Sequence, residues 1–90
     1  MRELTVERRQ FPDEKGIMRV YEYAILVGEL AVTPQVSCES YGVKISEQGG
    51  ESGEVPDITV SMSRIDELIN LLVRNTVTPC TLRDVIDDWL

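Results

Sequence analysis

The sequence predicts an α+β fold: a four-stranded, mostly antiparallel meander followed by two C-terminal helices packed on one face. Three observations carry that prediction. Apolar side chains alternate, or run together, in four short stretches between residues 2 and 62, with Gly- and Pro-containing turns between them. From residue 63 onward the apolar spacing changes to i, i+3, i+4, i+7, the period of a helix with one buried face. The connections are too short to carry parallel crossovers, so each strand is expected beside its sequence neighbour. Ninety residues fit one domain, 1–90, near the lower end of what folds without disulfide or metal staples.

The first strand is expected over about 2–11. Leu4 and Val6 fall on one face and Glu3, Thr5 and Glu7 on the other, a charged pattern that suits a sheet edge. Pro12-Asp13-Glu14-Lys15-Gly16 reads as a turn. Residues 17–28 are rich in β-branched and aromatic side chains, with a nearly continuous apolar run from Tyr23 to Val27, and read as a central strand. Joining the two apolar faces sets Leu4 opposite Ile25 and Val6 opposite Tyr23, at the cost of placing Glu7 opposite Glu22.

Thr33-Pro34-Gln35 forms the next turn, and residues 36–46 the third strand. Its apolar face switches between Val36/Cys38 and Tyr41/Val43/Ile45, which calls for a bulge or bend at Gly42. The polar, Gly-rich stretch Glu47–Glu54 is expected as a surface loop. Residues 57–62 then alternate strictly, with Ile58, Val60 and Met62 inward.

The helices are expected at about 63–75 and 81–90. Ser63-Arg64-Ile65-Asp66 and Thr81-Leu82-Arg83-Asp84 both fit a capping box, in which a hydroxyl accepts a backbone N–H while a carboxylate reaches back. Ile65, Leu68, Ile69, Leu72 and Val73 form the first stripe; Leu82, Val85, Ile86, Trp89 and Leu90 form the second. Burying either stripe contributes on the order of 8–15 kcal/mol, about what ordering a dozen backbone residues costs. Neither helix persists alone, so both must pack on the sheet.

Charge narrows the function classes. The net charge is −7, a field that repels phosphate backbones and anionic lipid surfaces and argues against nucleic-acid or membrane-surface binding. Arg2, Arg8, Arg9, Lys15 and Arg19 make the first hairpin slightly basic beside a strongly acidic remainder, an asymmetry that favours self-association or a basic partner; ordinary solvated faces are the plainer reading. There is no histidine, which removes the usual general base, zinc ligand and pH switch. Cys38 and Cys80 belong to no paired motif and read as buried small hydrophobes. No signal-peptide pattern or membrane-length apolar run opens the chain, so a cytoplasmic setting is expected.

No catalytic, cofactor-binding or metal-binding residue is assigned. The Gly49–Gly53 stretch lacks the lysine and hydroxyl of a phosphate-binding loop and reads as a surface loop. Asp84 and Asp88 share a helix face, with Asp87 close by, and carboxylates so placed can hold a hard cation; capping and solvation explain them equally well. Tyr21 and Tyr23, with Tyr41, are candidates for a sheet-face platform or for core packing. Trp89 continues the buried stripe, and either anchors the last helix or is presented to a partner. Trp89, Tyr21 and Tyr23 are therefore the candidate interface residues.

The succession Ser40-Tyr41-Gly42-Val43-Lys44-Ile45, Asp57-Ile58-Thr59-Val60-Ser61, the leucine-rich helix and Val77-Thr78-Pro79-Cys80-Thr81-Leu82-Arg83-Asp84-Val85-Ile86-Asp87-Asp88 resembles a family of small bacterial proteins of unknown function, found mainly in gut anaerobes. The resemblance implies a bacterial, cytoplasmic protein and supplies no activity. The sequence thus favours a non-enzymatic interaction or regulatory module that binds another protein or itself. The alternative is a small-ligand or metal-binding domain that uses the uncovered sheet face or the C-terminal carboxylates.

Overall fold

The computed structural model describes every residue from Met1 to Leu90. Strands β1 (Arg2–Pro12), β2 (Met18–Ala31), β3 (Ser37–Glu47) and β4 (Ser52–Thr59) precede helices α1 (Met62–Arg74) and α2 (Leu82–Trp89). The strands form one antiparallel sheet in the order β1-β2-β3-β4. The α+β meander followed by two helices is the architecture that the spacing predicts.

The β1–β2 turn is built around Asp13, whose Oδ1 accepts the backbone N–H groups of Lys15 and Ile17, both at 2.9 Å. These bonds, that from Ile17 foremost, hold the Asp13 carboxyl below the usual carboxylate range. Gly16 takes a φ of 77°, which its lack of a Cβ permits. Leu4 stands opposite Ile25 as expected, but nearer the turn the register departs from the predicted one. Glu7 faces Tyr23 and Arg8 faces Glu22, which leaves Val6 as the extra residue of a bulge between Thr5 and Glu7. The bulge sets Arg8 opposite Glu22, where the unbulged register would set Glu7, and the Arg8 guanidinium donates to the Gln48 side-chain oxygen at 3.1 Å.

One face of the sheet is covered by the helices. Tyr21, Tyr23 and Val27 of β2 and Tyr41, Val43 and Ile45 of β3 meet Ile65, Leu68, Ile69 and Leu72 of α1 and Leu82 and Ile86 of α2 in one buried cluster. Helix α1 reaches all four strands, while α2 lies beside β4. The stripes are as predicted in the middle of each helix, whereas Val85 and Trp89 are only partly buried and Leu90 is exposed.

The chain between the sheet and α1 differs from the sequence reading. The last strand is Ser52–Thr59 rather than 57–62, so the predicted Glu47–Glu54 loop shrinks to a tight turn, and Val60 and Met62 are exposed. Gly53 and Val55 pair with Ile45 and Val43 and carry β4 earlier in the chain. Because β4 stops at Thr59, α1 starts sooner as well. Its N-cap is Ser61, not Ser63: the extended Ser61 backbone lets its Oγ accept the Arg64 N–H at 3.3 Å. Thr81 precedes α2 but makes no side-chain cap bond, because its hydroxyl is hydrogen-bonded at 2.9 Å to that of Thr78. The predicted bend at Gly42 is present as a register shift between Tyr41 and Val43. There Pro56, Asp57 and Ile58 of β4 stand against Gly42 alone, two residues more than a regular ladder holds, and a Cβ on Gly42 would fall on the backbone of Val55 and Pro56.

The molecule measures 53 × 24 × 18 Å. It is long because β2 and β3 outrun their neighbours: β1 pairs no further than Val27, and β4 no further than Tyr41. Beyond that line, Gly28 to Ser40 projects as a two-stranded arm.

Candidate interaction site: the projecting arm and its base

The arm is set by local chemistry. Gly28 to Ala31 pair with Ser40 to Ser37 in unbroken antiparallel register. At the tip, Val32 donates its N–H to the Val36 carbonyl at 2.9 Å. The Thr33 hydroxyl accepts the Gln35 and Val36 N–H groups at 3.3 and 3.0 Å, and Pro34 restricts the turn that results. By the two-residue alternation of a strand, Leu30, Val32, Val36 and Cys38 share one face of the arm, and Glu29 and Glu39 share the other. The apolar face is bare: Leu30 is 46%, Val32 62% and Val36 55% exposed.

The base of the arm is pinned by polar contacts on the sheet face that the helices leave open. The buried Ser40 hydroxyl is hydrogen-bonded to Oδ1 of Asp57, which sits in the β4 bulge with a φ of 53°. Gly28 lies beside this pair, and a Cβ there would be in ordinary van der Waals contact with both side chains, at 3.6–3.7 Å. Next along the face, Leu26 and Ala24 are buried although no helix lies over them. The β4 backbone crosses above Gly42, the partner of Leu26. Over Ala24, Lys44 of β3 reaches Glu3 of β1 at 2.8 Å. That hydrogen bond raises the Lys44 pKa above the ordinary lysine value. None of the cavities in the molecule is lined by Ala24, Leu26 or Lys44.

The residues singled out from the sequence lie elsewhere. Tyr21 and Tyr23 are in the core under the helices. Tyr23 donates its hydroxyl to the Val77 carbonyl at 2.9 Å, and Tyr21 meets Phe11 edge-on with centroids 5.2 Å apart. Neither presents its ring as a platform. Trp89 is half-buried against the core, with the Arg64 guanidinium 4.3 Å from its ring centre. It also borders an open groove of about 540 Å³ along α1, with Glu67, Asn70, Leu71, Val73 and Arg74. Trp89 thus packs against the core and keeps part of its ring at the surface.

The cysteines are not the buried hydrophobes expected. Cys38 is half-buried on the arm and Cys80 is exposed, and both are free thiols. The reason is position: Cys38 lies past the covered part of β3, and Cys80 lies in the turn that leads into α2. Asp84, Asp87 and Asp88 form no metal cluster, since no group of three or more His, Cys, Asp or Glu side chains stands close enough to hold an ion. No helix is long and apolar enough to cross a membrane.

Sequence reasoning missed the arm, although a signal was present. Leu30 to Cys38 is the longest stretch without a charged residue in a chain that is 28% charged. Its apolar residues are placed symmetrically about Thr33-Pro34-Gln35. Neither the curated proteins nor the solved structures provide a match. A family model matches residues 2–90, and by it the chain belongs to the family of unknown function DUF6514.

Proposed function

We propose that the protein is a non-enzymatic interaction module whose recognition element is the arm from Gly28 to Ser40. One observation carries the reading: a structured hairpin stands clear of the core with Leu30, Val32 and Val36 largely exposed on one face. A two-stranded ribbon is marginally stable in water by itself. Here the Ser40–Asp57 bond and the β4 bulge brace its base. Exposed apolar residues gathered on one face are the usual mark of a contact surface. The setting that accompanies this reading is a bacterial cytoplasm, in keeping with two free thiols, one of them exposed.

The test compares the wild-type chain with a Val32→Lys, Val36→Lys variant, in sedimentation across the micromolar range and in capture from lysate. Association or capture that the lysines abolish is the expected result. A monomer that captures the same proteins with and without the lysines overturns the reading.

A second reading, small-ligand binding, is favoured by the groove of about 540 Å³ between α1 and Trp89, a volume within the range of ligand pockets. Its mixed lining of Glu67, Asn70, Arg74, Leu71, Val73 and Trp89 suits an amphiphilic molecule. A ligand-dependent shift in Trp89 fluorescence supports it; unchanged emission and unchanged melting across a ligand panel count against it.

A further inference from the structure

We infer that the arm is a hinged element, with Gly28 as its pivot and the Ser40–Asp57 bond as the lock that holds it in line with the sheet. The inference rests on the reading of the arm as a recognition element and concerns how that element is controlled.

Gly28 is a glycine with no steric reason to be one. Glycine weakens a strand interior and is usually found there because something approaches closely. Gly42 meets that description, since the β4 backbone crosses directly over it. Gly28 does not: its φ is not left-handed, and a Cβ would find only ordinary contacts, at 3.6 and 3.7 Å. What it supplies is backbone freedom. That freedom falls one residue past Val27, the last partner of β1, where the sheet narrows to two strands. The next pair out sets Glu29 against Glu39, a like-charge opposition that weakens a ladder. Arg2, 3.8 Å from Glu39, offsets part of it.

The lock faces the pivot. Ser40 is the cross-strand partner of Gly28 and, tyrosines apart, the only buried polar residue of the chain. Its hydroxyl donates to Asp57, so the bond ties the root of the arm to a strand that the arm otherwise leaves behind. Asp57 keeps a left-handed φ of 53°, a strained backbone for a residue with a Cβ. It is also exposed, so the bond can open without unfolding the core beneath the helices. Side-chain alternation puts Ser40 on the same face as Leu30 and Cys38. The lock therefore stands at the foot of the apolar face, where a partner seated on that face meets it. Closed, it fixes the angle of the face to the sheet; open, the ribbon swings about Gly28.

Residual dipolar couplings of the backbone amides, measured on the purified chain in a weakly aligning medium, test this. In the wild type the couplings of residues 29–39 should fit the alignment of the core strands. Ser40→Ala should scale the arm couplings down and leave those of the core unchanged. Asp57→Gly, which suits the left-handed φ, should do the same, and it decides the matter if Ser40→Ala disturbs the core. Adding Gly28→Ala to either variant should restore much of the loss, because the methyl is accommodated and restricts the backbone. Arm couplings that keep their full size without the lock overturn the inference. So do wild-type couplings that are already scaled down, and a loss that Gly28→Ala leaves unrestored. None of these results depends on capture. Capture that is indifferent to the arm lysines removes the recognition element and leaves the hinge; couplings that are indifferent to the lock remove the hinge and leave the recognition element.

Discussion

The hydroxyl of Tyr23, in the middle of β2, donates a 2.9 Å hydrogen bond to the carbonyl of Val77, in the turn between the helices. The bond joins the centre of the sheet to the point where α1 hands over to α2. Both groups are removed from water, so the bond is worth most for what its loss would leave behind. Tyr23→Phe should cost about 1–3 kcal/mol, the price of an unpaired buried carbonyl, as read from urea midpoints.

The same tyrosine sets an alkaline limit on stability. Burial, with Tyr21 as the next cause, pushes the Tyr23 phenol up to about 12, above its unfolded value of 10.0. The folded chain therefore holds the proton over a range in which the unfolded chain releases it. The stability this contributes is complete below pH 10 and declines as pH rises from about 10 through about 12. Unfolding free energies measured across that window should fall with pH. Tyr23→Phe should flatten the slope without abolishing it, because the Tyr21 pKa is raised too, mainly by burial.

Leu72 has no exposed surface and sits where α1 meets the sheet. Leu72→Ala should cost ~2–5 kcal/mol through lost burial and the cavity it leaves. In a chain this small that is a large share of the total. Thermal or chemical melts read it directly, and a loss below about half a kcal/mol would be out of keeping with a core position.

The two serines before α1 should behave differently. Ser61→Ala removes the oxygen that accepts the Arg64 N–H and should cost ~1 kcal/mol. Ser63→Ala, inside the first turn, should change stability by about half a kcal/mol or less. Equal effects would move the N-cap from where the backbone places it.

Gly42→Ala should be the most damaging of the glycine substitutions. The added methyl meets the Val55–Pro56 backbone, which has no side-chain end to swing away, and overpacking of this kind costs about 1–3 kcal/mol or more. Gly49→Ala meets open space and bears only the strain of a φ of 73°, about 1–2 kcal/mol. Side-by-side urea unfolding gives the rank order.

Periodicity made most of the fold legible, because the stripes that drive burial are the same ones that a reader of the sequence sees. Leu68 and Leu72 are core for the reason their spacing gives, and β2 is central because its apolar run leaves it no solvent face. What escaped was decided between strands. The Val6 bulge is a matter of how β1 pairs with β2, and the early start of β4 depends on Gly53 and Val55 finding Ile45 and Val43. Ser61 and Ser63 carry the same hydroxyl, and only the end of β4 selects between them. The candidate site escaped for a related reason. Tyr21 and Tyr23 drew notice as aromatic side chains, yet the arm becomes visible only when β1 and β4 are seen to stop short of it.

The uninterrupted meander also bears on how the chain reaches its native state. Each strand lies beside its predecessor, and the turns that join them are only a few residues long. Loop-closure entropy is therefore small at every step, and the sheet can zip hairpin by hairpin from the Asp13 turn or the Gly49 turn. Contacts that span most of the chain, such as Tyr23 to Val77, are made only when α1 docks. Until then the face bearing Tyr23, Val43 and Ile45 is wet and adhesive, and the interval before docking is when the chain is most open to misassembly.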